Sequence, residues 1–163
     1  MSAKCKSKKE AIFLDKSKID NSLKEKGGQM MQCGKILVIE DDPNILLLVR
    51  DTLESSQFVV TSEQTAKGGL DTISKCPPDV LVLDINLPDM SGYDLLLKLK
   101  TIIDPTPLVL MKGFGYDPGH AMVKARQAGL HPKAVLYKPF RLDQLLDVCK
   151  TIVEAYDNSV SQS

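Results

Sequence analysis

Acidic and basic residues stand at the ends of several short apolar runs in this chain. The run KILVI is followed by Glu40 and Asp41, and the run VLVL is followed by Asp84. Lys112 and Lys138 follow two later apolar runs, LVLM and VLY. A carboxylate at the tip of an apolar segment is poorly placed for packing. It is well placed for chemistry, because it can bind a metal ion or act as a nucleophile.

The apolar runs themselves predict short strands that are buried on both faces, and segments with helical spacing of apolar residues separate them. The predicted strands are KILVI, FVVT, DVLVLD, PLVLM and KAVLY. The predicted helices are NILLLVRDTLESS, TAKGGLDTISK, SGYDLLLKLKTI, residues 117–128 and RLDQLLDVCKTIVEAY. Five strands that alternate with five helices predict a doubly wound, three-layer α/β/α domain around a five-stranded parallel sheet.

In such a sheet, ligands bind beyond the carboxyl ends of the strands, so we expect these acids and lysines at one edge. Clustered carboxylates repel one another and need a cation, and oxygen ligands favour Mg²⁺ or Mn²⁺. One carboxylate of such a site could accept a phosphoryl group, and a lysine could balance the added charge. Each residue alone could equally be a helix cap or a surface lysine. Their coincidence at one edge favours the functional interpretation.

Composition and charge exclude several classes of protein. The chain has 163 residues with no net charge, and no apolar run approaches the roughly 20 residues of a membrane span. The N-terminus lacks the apolar core of a secretory signal, so we expect a cytoplasmic protein. The four cysteines are too scattered for a zinc site. Residues 1–33 carry eight lysines against four acids and predict a partly helical or disordered extension. We expect the domain at 34–156 and a tail at 157–163.

Three segments resemble the receiver domains of two-component response regulators, the CheY-like family. They are KILVIEDDPNILLLVRDTL, LVLDINLPDMSGYDLL and VLYKPFRLDQLL. The second is similar to the pattern D-x-x-[ML]-P-x-x-[SDN]-G around the family's phospho-acceptor. In order and spacing, the resemblance covers residues 34–156, and it implies a flavodoxin-like, CheY-like fold.

The resemblance also implies roles for individual residues. Asp84 would be the phospho-acceptor, and Lys138 would contact the phosphoryl group. Asp41 would bind Mg²⁺ directly, Glu40 would bind it through water, and Asn86 would offer its backbone carbonyl.

Further expectations concern the loops and the partners. Pro88 and Gly92 would shape the loop after the acceptor, and the bond from Lys138 to Pro139 would be cis. The phosphoryl donor would be the phosphohistidine of a sensor histidine kinase or a phosphotransfer protein. The chain would be a signalling module rather than an enzyme, a monomer or weak homodimer without a DNA-binding domain. As a stand-alone receiver it would act by docking an output protein on residues 117–153 or as a phosphorelay.

Two positions depart from the family pattern. Lys112 stands where the family has Ser or Thr, and Val135 stands where it has an aromatic switch residue. Lys112 could pair with Asp84 or with the phosphoryl group as a second cation, or it could point into solvent. The departures motivate an alternative function, a receiver-like adaptor that binds partners without phosphorylation.

Two other classes of protein fit the sequence less well. A phosphatase of the haloacid dehalogenase type would need an acid two residues after Asp84, where this chain has Asn86. A flavodoxin-like cofactor binder would need residues that cradle phosphate after the first strand, where the acids at positions 40–42 would repel it.

Overall fold

The computed structural model describes residues 34–102, 106–113, 118–127 and 129–160. The predicted extension, residues 1–33, and the end of the predicted tail, residues 161–163, lie outside these ranges. The strands are β1 (Lys35–Ile39), β2 (Val59–Glu63), β3 (Val80–Asp84), β4 (Leu108–Lys112) and β5 (Ala134–Tyr137). The helices are α1 (Pro43–Ser55), α2 (Ala66–Lys75), α3 (Gly92–Leu99), α4 (Pro118–Gln127) and α5 (Leu142–Val160). None of these helices is both long and apolar enough to cross a bilayer.

The five strands form one sheet in the order β2-β1-β3-β4-β5, and every neighbouring pair is parallel. The order reverses between β1 and β3, which is where open α/β sheets place their ligand sites. Ile39 pairs with Leu83, so the residues that follow these two strands emerge side by side. The predicted doubly wound, flavodoxin-like fold is confirmed.

Apolar side chains cover both faces of the sheet and form two core layers. Leu83 and Leu110 pack on the face covered by α2 and α3. Val82 and Met111 pack on the opposite face, against residues of α1 and α5. Because successive side chains of a strand alternate between faces, a strand buried on both sides must be apolar throughout. This explains the continuous apolar runs that predicted the sheet.

Asp42 starts the helix that follows the first strand. Its Oδ1 accepts hydrogen bonds from the backbone N–H groups of Asn44 at 2.8 Å and Ile45 at 3.3 Å. Pro43 occupies the first turn, where a missing N–H costs nothing. This cap ties the acidic segment after β1 to the first turn of α1.

Two helices, α3 and α5, end well away from the predicted position. Helix α3 stops at Leu99 rather than Ile102, because Thr101 and Ile102 make i→i+3 hydrogen bonds that tighten the chain into a turn. Helix α5 continues beyond Tyr156 to Val160, into the segment predicted as a tail. No glycine or proline stands there to end it.

Candidate functional site

Three carboxylates converge where β1 and β3 end. Glu40 and Asp41 follow β1 directly, and Asp84 is the last residue of β3. One oxygen from each carboxylate lies within 4.8 Å of one oxygen from each of the others. Glu40 and Asp84 are buried, whereas Asp41 is exposed. The acidic cluster therefore has two members inside the fold and one that faces solvent.

Lys138, the first residue after β5, is the counter-ion of the two buried acids. Its Nζ lies 2.5 Å from Asp84 Oδ2 and donates a hydrogen bond to Glu40 Oε1 at 2.8 Å. The Lys138 side chain is 18% exposed, so part of it still reaches solvent. The predicted site residues 40, 41, 84 and 138 thus lie together at one edge of the sheet.

Backbone groups hold the buried carboxylates from the other side. The N–H of Asn86 donates to Asp84 Oδ1 at 2.9 Å, while Oδ2 of the same carboxylate faces Lys138. The N–H of Asp42 donates to Glu40 Oε1 at 3.3 Å. Both oxygens of Asp84 are therefore engaged, and its orientation is defined before any ligand arrives.

Burial and charge change the pKa values of Glu40 and Lys138 in this cluster. Burial raises the pKa of Glu40 to about 7; the Lys138 hydrogen bond opposes this rise, and the charge of Asp84 adds to it. Burial also acts to lower the pKa of Lys138, but its hydrogen bonds to Asp84 and Glu40 outweigh burial and raise that pKa above its usual value. Lys138 therefore stays charged, and Glu40 is a carboxyl that would gain from additional positive charge.

The donor set fits a hard divalent cation. Oε2 of Glu40 lies 2.7 Å from Lys138 Nζ but is not aligned for a hydrogen bond, and it has no hydrogen-bond partner among the described residues. Lys138 compensates this buried oxygen, but the same ammonium is shared with Asp84, so a further cation would stabilise the two acids. Three carboxylates within ligand distance of one another match the oxygen coordination of Mg²⁺ or Mn²⁺.

A cavity of about 370 Å³ opens beside the cluster. Six of its lining residues are Asp41, Asn86, Pro88, Ser91, Gly92 and Lys112. The loop after β3 is closed by a bridge between Asn86 and Ser91. A Cβ on Gly92 would lie 2.3 Å from the carbonyl oxygen of Ile85, so only glycine fits there. Asn86 and Pro88 thus lie in the loop that borders the predicted site, and Gly92 begins α3 at the end of that loop.

Lys112 is buried, and the alternative that it points into solvent is wrong. It is the last residue of β4 rather than a residue after the strand, and it is 1% exposed. Strand β4 lies between β3 and β5, and the N–H of Lys138 donates to the Lys112 carbonyl at 2.7 Å. This pairing extends the sheet to the end of β4 and keeps Lys112 inside it.

The other predicted positions lie nearby on β5 and just beyond it. Val135 pairs with Leu110 of β4 and packs against the core layer under α2 and α3. It is a small core residue where the family pattern has an aromatic one. The Lys138–Pro139 peptide bond is cis, as predicted.

Sequence reasoning missed two acids that border the site. Asp89, in the loop after β3, accepts hydrogen bonds at 2.9 Å from the N–H groups of Ala66 and Lys67 at the start of α2. Glu63 ends β2, and its carboxylate accepts a hydrogen bond from the Thr72 hydroxyl at 2.7 Å. These partners are distant in sequence, so no local pattern could have indicated them.

Comparison with known proteins agrees with this geometry. Residues 36–150 match the family described as the response regulator receiver domain. The cell cycle response regulator CtrA of Brucella ovis is 32% identical over 120 residues, which are 73% of this chain and 50% of CtrA. This chain thus spans about half the length of that curated relative.

Solved structures show the same fold. A CheY-like response regulator receiver domain from Methanospirillum hungatei aligns with a TM-score of 0.70 at 27% identity, over 78% of this chain and 99% of that one. NtrX from Brucella abortus aligns with a TM-score of 0.69 at 27% identity, over 80% of this chain and 29% of NtrX. The similarity therefore covers whole receiver domains and one part of longer proteins.

Proposed function

Since this chain belongs to the receiver domain family of two-component response regulators, we propose that Asp84 accepts a phosphoryl group from a phosphohistidine. Receiver domains are signalling modules that interact with histidine kinases or phosphotransfer proteins, and phosphorylation on an aspartate is general to the family. The donor proposed here is the phosphohistidine of such a partner, in the cytoplasm.

One observation carries the proposal: Asp84 is held between an ammonium and a backbone N–H at the carboxyl edge of the sheet. Lys138 contacts one of its oxygens, and the N–H of Asn86 contacts the other. A carboxylate that is fixed and oriented in this way has already lost the freedom that an attacking nucleophile must otherwise give up.

The proposed transfer is a simple displacement at phosphorus. A carboxylate oxygen of Asp84 forms a bond to phosphorus as the P–N bond of the phosphohistidine breaks. The electron pair of that bond goes to the imidazole nitrogen, which leaves as neutral histidine once a proton is bound. Lys138 then lies beside the phosphoryl oxygens and balances their charge.

The carboxylates of Glu40, Asp41 and Asp84 would hold a Mg²⁺ or Mn²⁺ ion, and the carbonyl of Asn86 is proposed as a further ligand. When bound, the ion supplies positive charge that stabilises the phosphoryl oxygens during transfer. The assignment is supported by the convergence of three carboxylates on one site, where Glu40 and Asp84 share the ammonium of Lys138.

The test is chemical phosphorylation with acetyl phosphate and Mg²⁺, followed by intact mass. We expect the wild type to gain the mass of one phosphoryl group and Asp84→Asn to gain none. Asp71→Asn is the matched control, because Asp71 is an exposed aspartate on α2 away from the site, and it should label as the wild type does. Equal labelling of wild type and Asp84→Asn would refute the proposal.

A second candidate function is a receiver-like adaptor that docks a partner on residues 117–153 without phosphorylation. The buried Lys112 at the edge of the site favours it, because a fixed cation there could imitate part of the phosphorylated state. Beryllofluoride imitates an aspartyl phosphate. If it leaves binding of an isolated partner unchanged, and Asp84→Asn does too, the adaptor function is preferred.

A further inference from the structure

Lys112 is an unusual residue for its position. Among the described residues, the buried charged side chains are Glu40, Asp84 and Lys112. Lysine is almost never fully buried unless its charge is compensated, because removing an ammonium from water is costly. The position of the buried lysine beside the two buried acids therefore points to an electrostatic role.

The sheet topology places Lys112 between the two residues of the ion pair, Asp84 and Lys138. Asp84 ends β3 and Lys138 follows β5, and these strands are not neighbours, because β4 lies between them. The contact between Lys138 and Asp84 therefore spans the end of β4, where Lys112 is the last residue. The backbone of Lys112 is bonded to Lys138 on one side, and Met111 pairs with Asp84 on the other.

The side chain of Lys112 also borders the space where a ligand would enter. It lines the cavity that Asp41 and Asn86 line, and Asp41 is the exposed member of the acidic cluster. By strand alternation, the side chain of Lys112 leaves β4 on the same face as Leu110, which is the face opposite Asp84. Its flexible four-carbon stem is long enough for the ammonium to return to the end of the strand, where the acids lie.

A lysine here changes the charge of the site. Lys138 pairs with Glu40 and Asp84, and three ionised carboxylates with this one ammonium would leave two negative charges for a divalent ion to neutralise. A Lys112 ammonium within reach of the acids would already balance one of those charges. A neutral hydroxyl at this position would contribute one ordinary hydrogen bond, whereas charge-assisted hydrogen bonds are about twice as strong.

We propose that Lys112 is a second phosphoryl-contacting ammonium, which weakens divalent-cation binding before transfer and stabilises the phosphoryl group on Asp84 afterwards. This inference rests on the proposed function for its second half. Its first half concerns only the charge of the unmodified site and can be measured without any phosphoryl donor.

Calorimetric titration of Mg²⁺ into the unmodified protein tests the first half. Lys112→Met removes the charge and keeps an unbranched stem, and Lys112→Thr is the second variant should the first fold poorly. Either is expected to bind Mg²⁺ about tenfold more tightly than the wild type. Lys133→Met is the control, because Lys133 is exposed before β5, at the opposite edge of the sheet, and should leave the affinity unchanged.

Labelling with acetyl phosphate tests the second half, as the ratio of rates with and without Mg²⁺. That ratio should rise about tenfold in Lys112→Met, because the variant depends on the ion for charge that Lys112 supplies in the wild type. Unchanged Mg²⁺ affinity in both Lys112 variants overturns the inference, whatever the labelling shows. No Asp84 label on the wild type overturns the proposed function instead, and tighter Mg²⁺ binding in the variants would then still support the charge role.

Discussion

Lys138 Nζ lies 2.5 Å from Asp84 Oδ2, although 54 positions separate the two residues and a whole strand lies between their own. The contact therefore connects the ends of β3 and β5 across the carboxyl end of β4. It also makes the two buried acids depend on one cation, since Glu40 bonds the same ammonium. The stability of the site without a metal ion should therefore depend on Lys138.

Lys138→Met should destabilise the metal-free protein by about 2 kcal/mol, because it leaves two buried carboxylates without their counter-ion. The value is below that for a fully buried pair, since the lysine side chain is 18% exposed. Urea unfolding with and without Mg²⁺ measures this loss. Mg²⁺ should raise the free energy of unfolding more in the variant than in the wild type. Lys150→Met, an exposed change on α5, is the control. Equal unfolding free energies for Lys138→Met and Lys150→Met would contradict the role given to Lys138.

The stability of the metal-free protein should fall as the pH rises through the range in which Glu40 ionises. The pKa of Glu40 is raised by burial from its ordinary 4.5 to about 7, so the folded state binds more protons than the unfolded state between these values. The unfolding free energy should drop by about 1–3 kcal/mol from pH 4.5 to pH 7.5. Glu40→Gln should flatten this dependence, while Glu154→Gln on the exposed face of α5 should retain it. A profile that is the same for both variants would show that Glu40 ionises normally.

Asp89→Ala should loosen the contact between the loop after β3 and the start of α2. Its carboxylate accepts the N–H groups of Ala66 and Lys67, and the loss of such a cap costs about 1 kcal/mol. These hydrogen bonds, led by that of Lys67, lower the pKa of Asp89, so acid pH should weaken the same contact. Amide hydrogen exchange at residues 66 and 67 should accelerate in the variant, with Asp71→Ala as the control. Unchanged exchange would mean that the loop is held by other contacts.

Gly92→Ala should lower the free energy of unfolding of this domain. The new Cβ would lie 2.3 Å from the Ile85 carbonyl oxygen, which is backbone and cannot rotate away. We expect a loss of about 2–3 kcal/mol and a shifted loop around Asn86. Gly113→Ala is the matched control, since its Cβ would meet Asn86 Nδ2 at an ordinary 3.7 Å. Thermal unfolding of the two variants gives the comparison, and equal midpoints would contradict the close packing described.

Much of the fold could be predicted from the sequence, because strands buried on both faces leave continuous apolar runs. The residues that follow those runs must share one edge of the sheet, so the sequence alone groups Glu40, Asp84 and Lys138. This inference needs only the parallel order of the strands.

The sequence could not indicate contacts that depend on how distant segments pack. Whether Lys112 is buried depends on both neighbours of β4, and a lysine after an apolar run usually faces solvent. The partners of Asp89 lie 22 and 23 positions away, at the start of the helix that follows another strand. The predicted end of α5 was too early, because the regular spacing of apolar residues ends before the helix does.

The most direct test of the central claim is to locate the acyl phosphate. After treatment with acetyl phosphate and Mg²⁺, borohydride reduces an aspartyl phosphate to homoserine, and peptide sequencing by mass spectrometry identifies the position. We predict homoserine at position 84 and at no other aspartate. Homoserine at position 41 instead, or a fully unmodified peptide around position 84, would contradict the assignment of Asp84 as the phospho-acceptor.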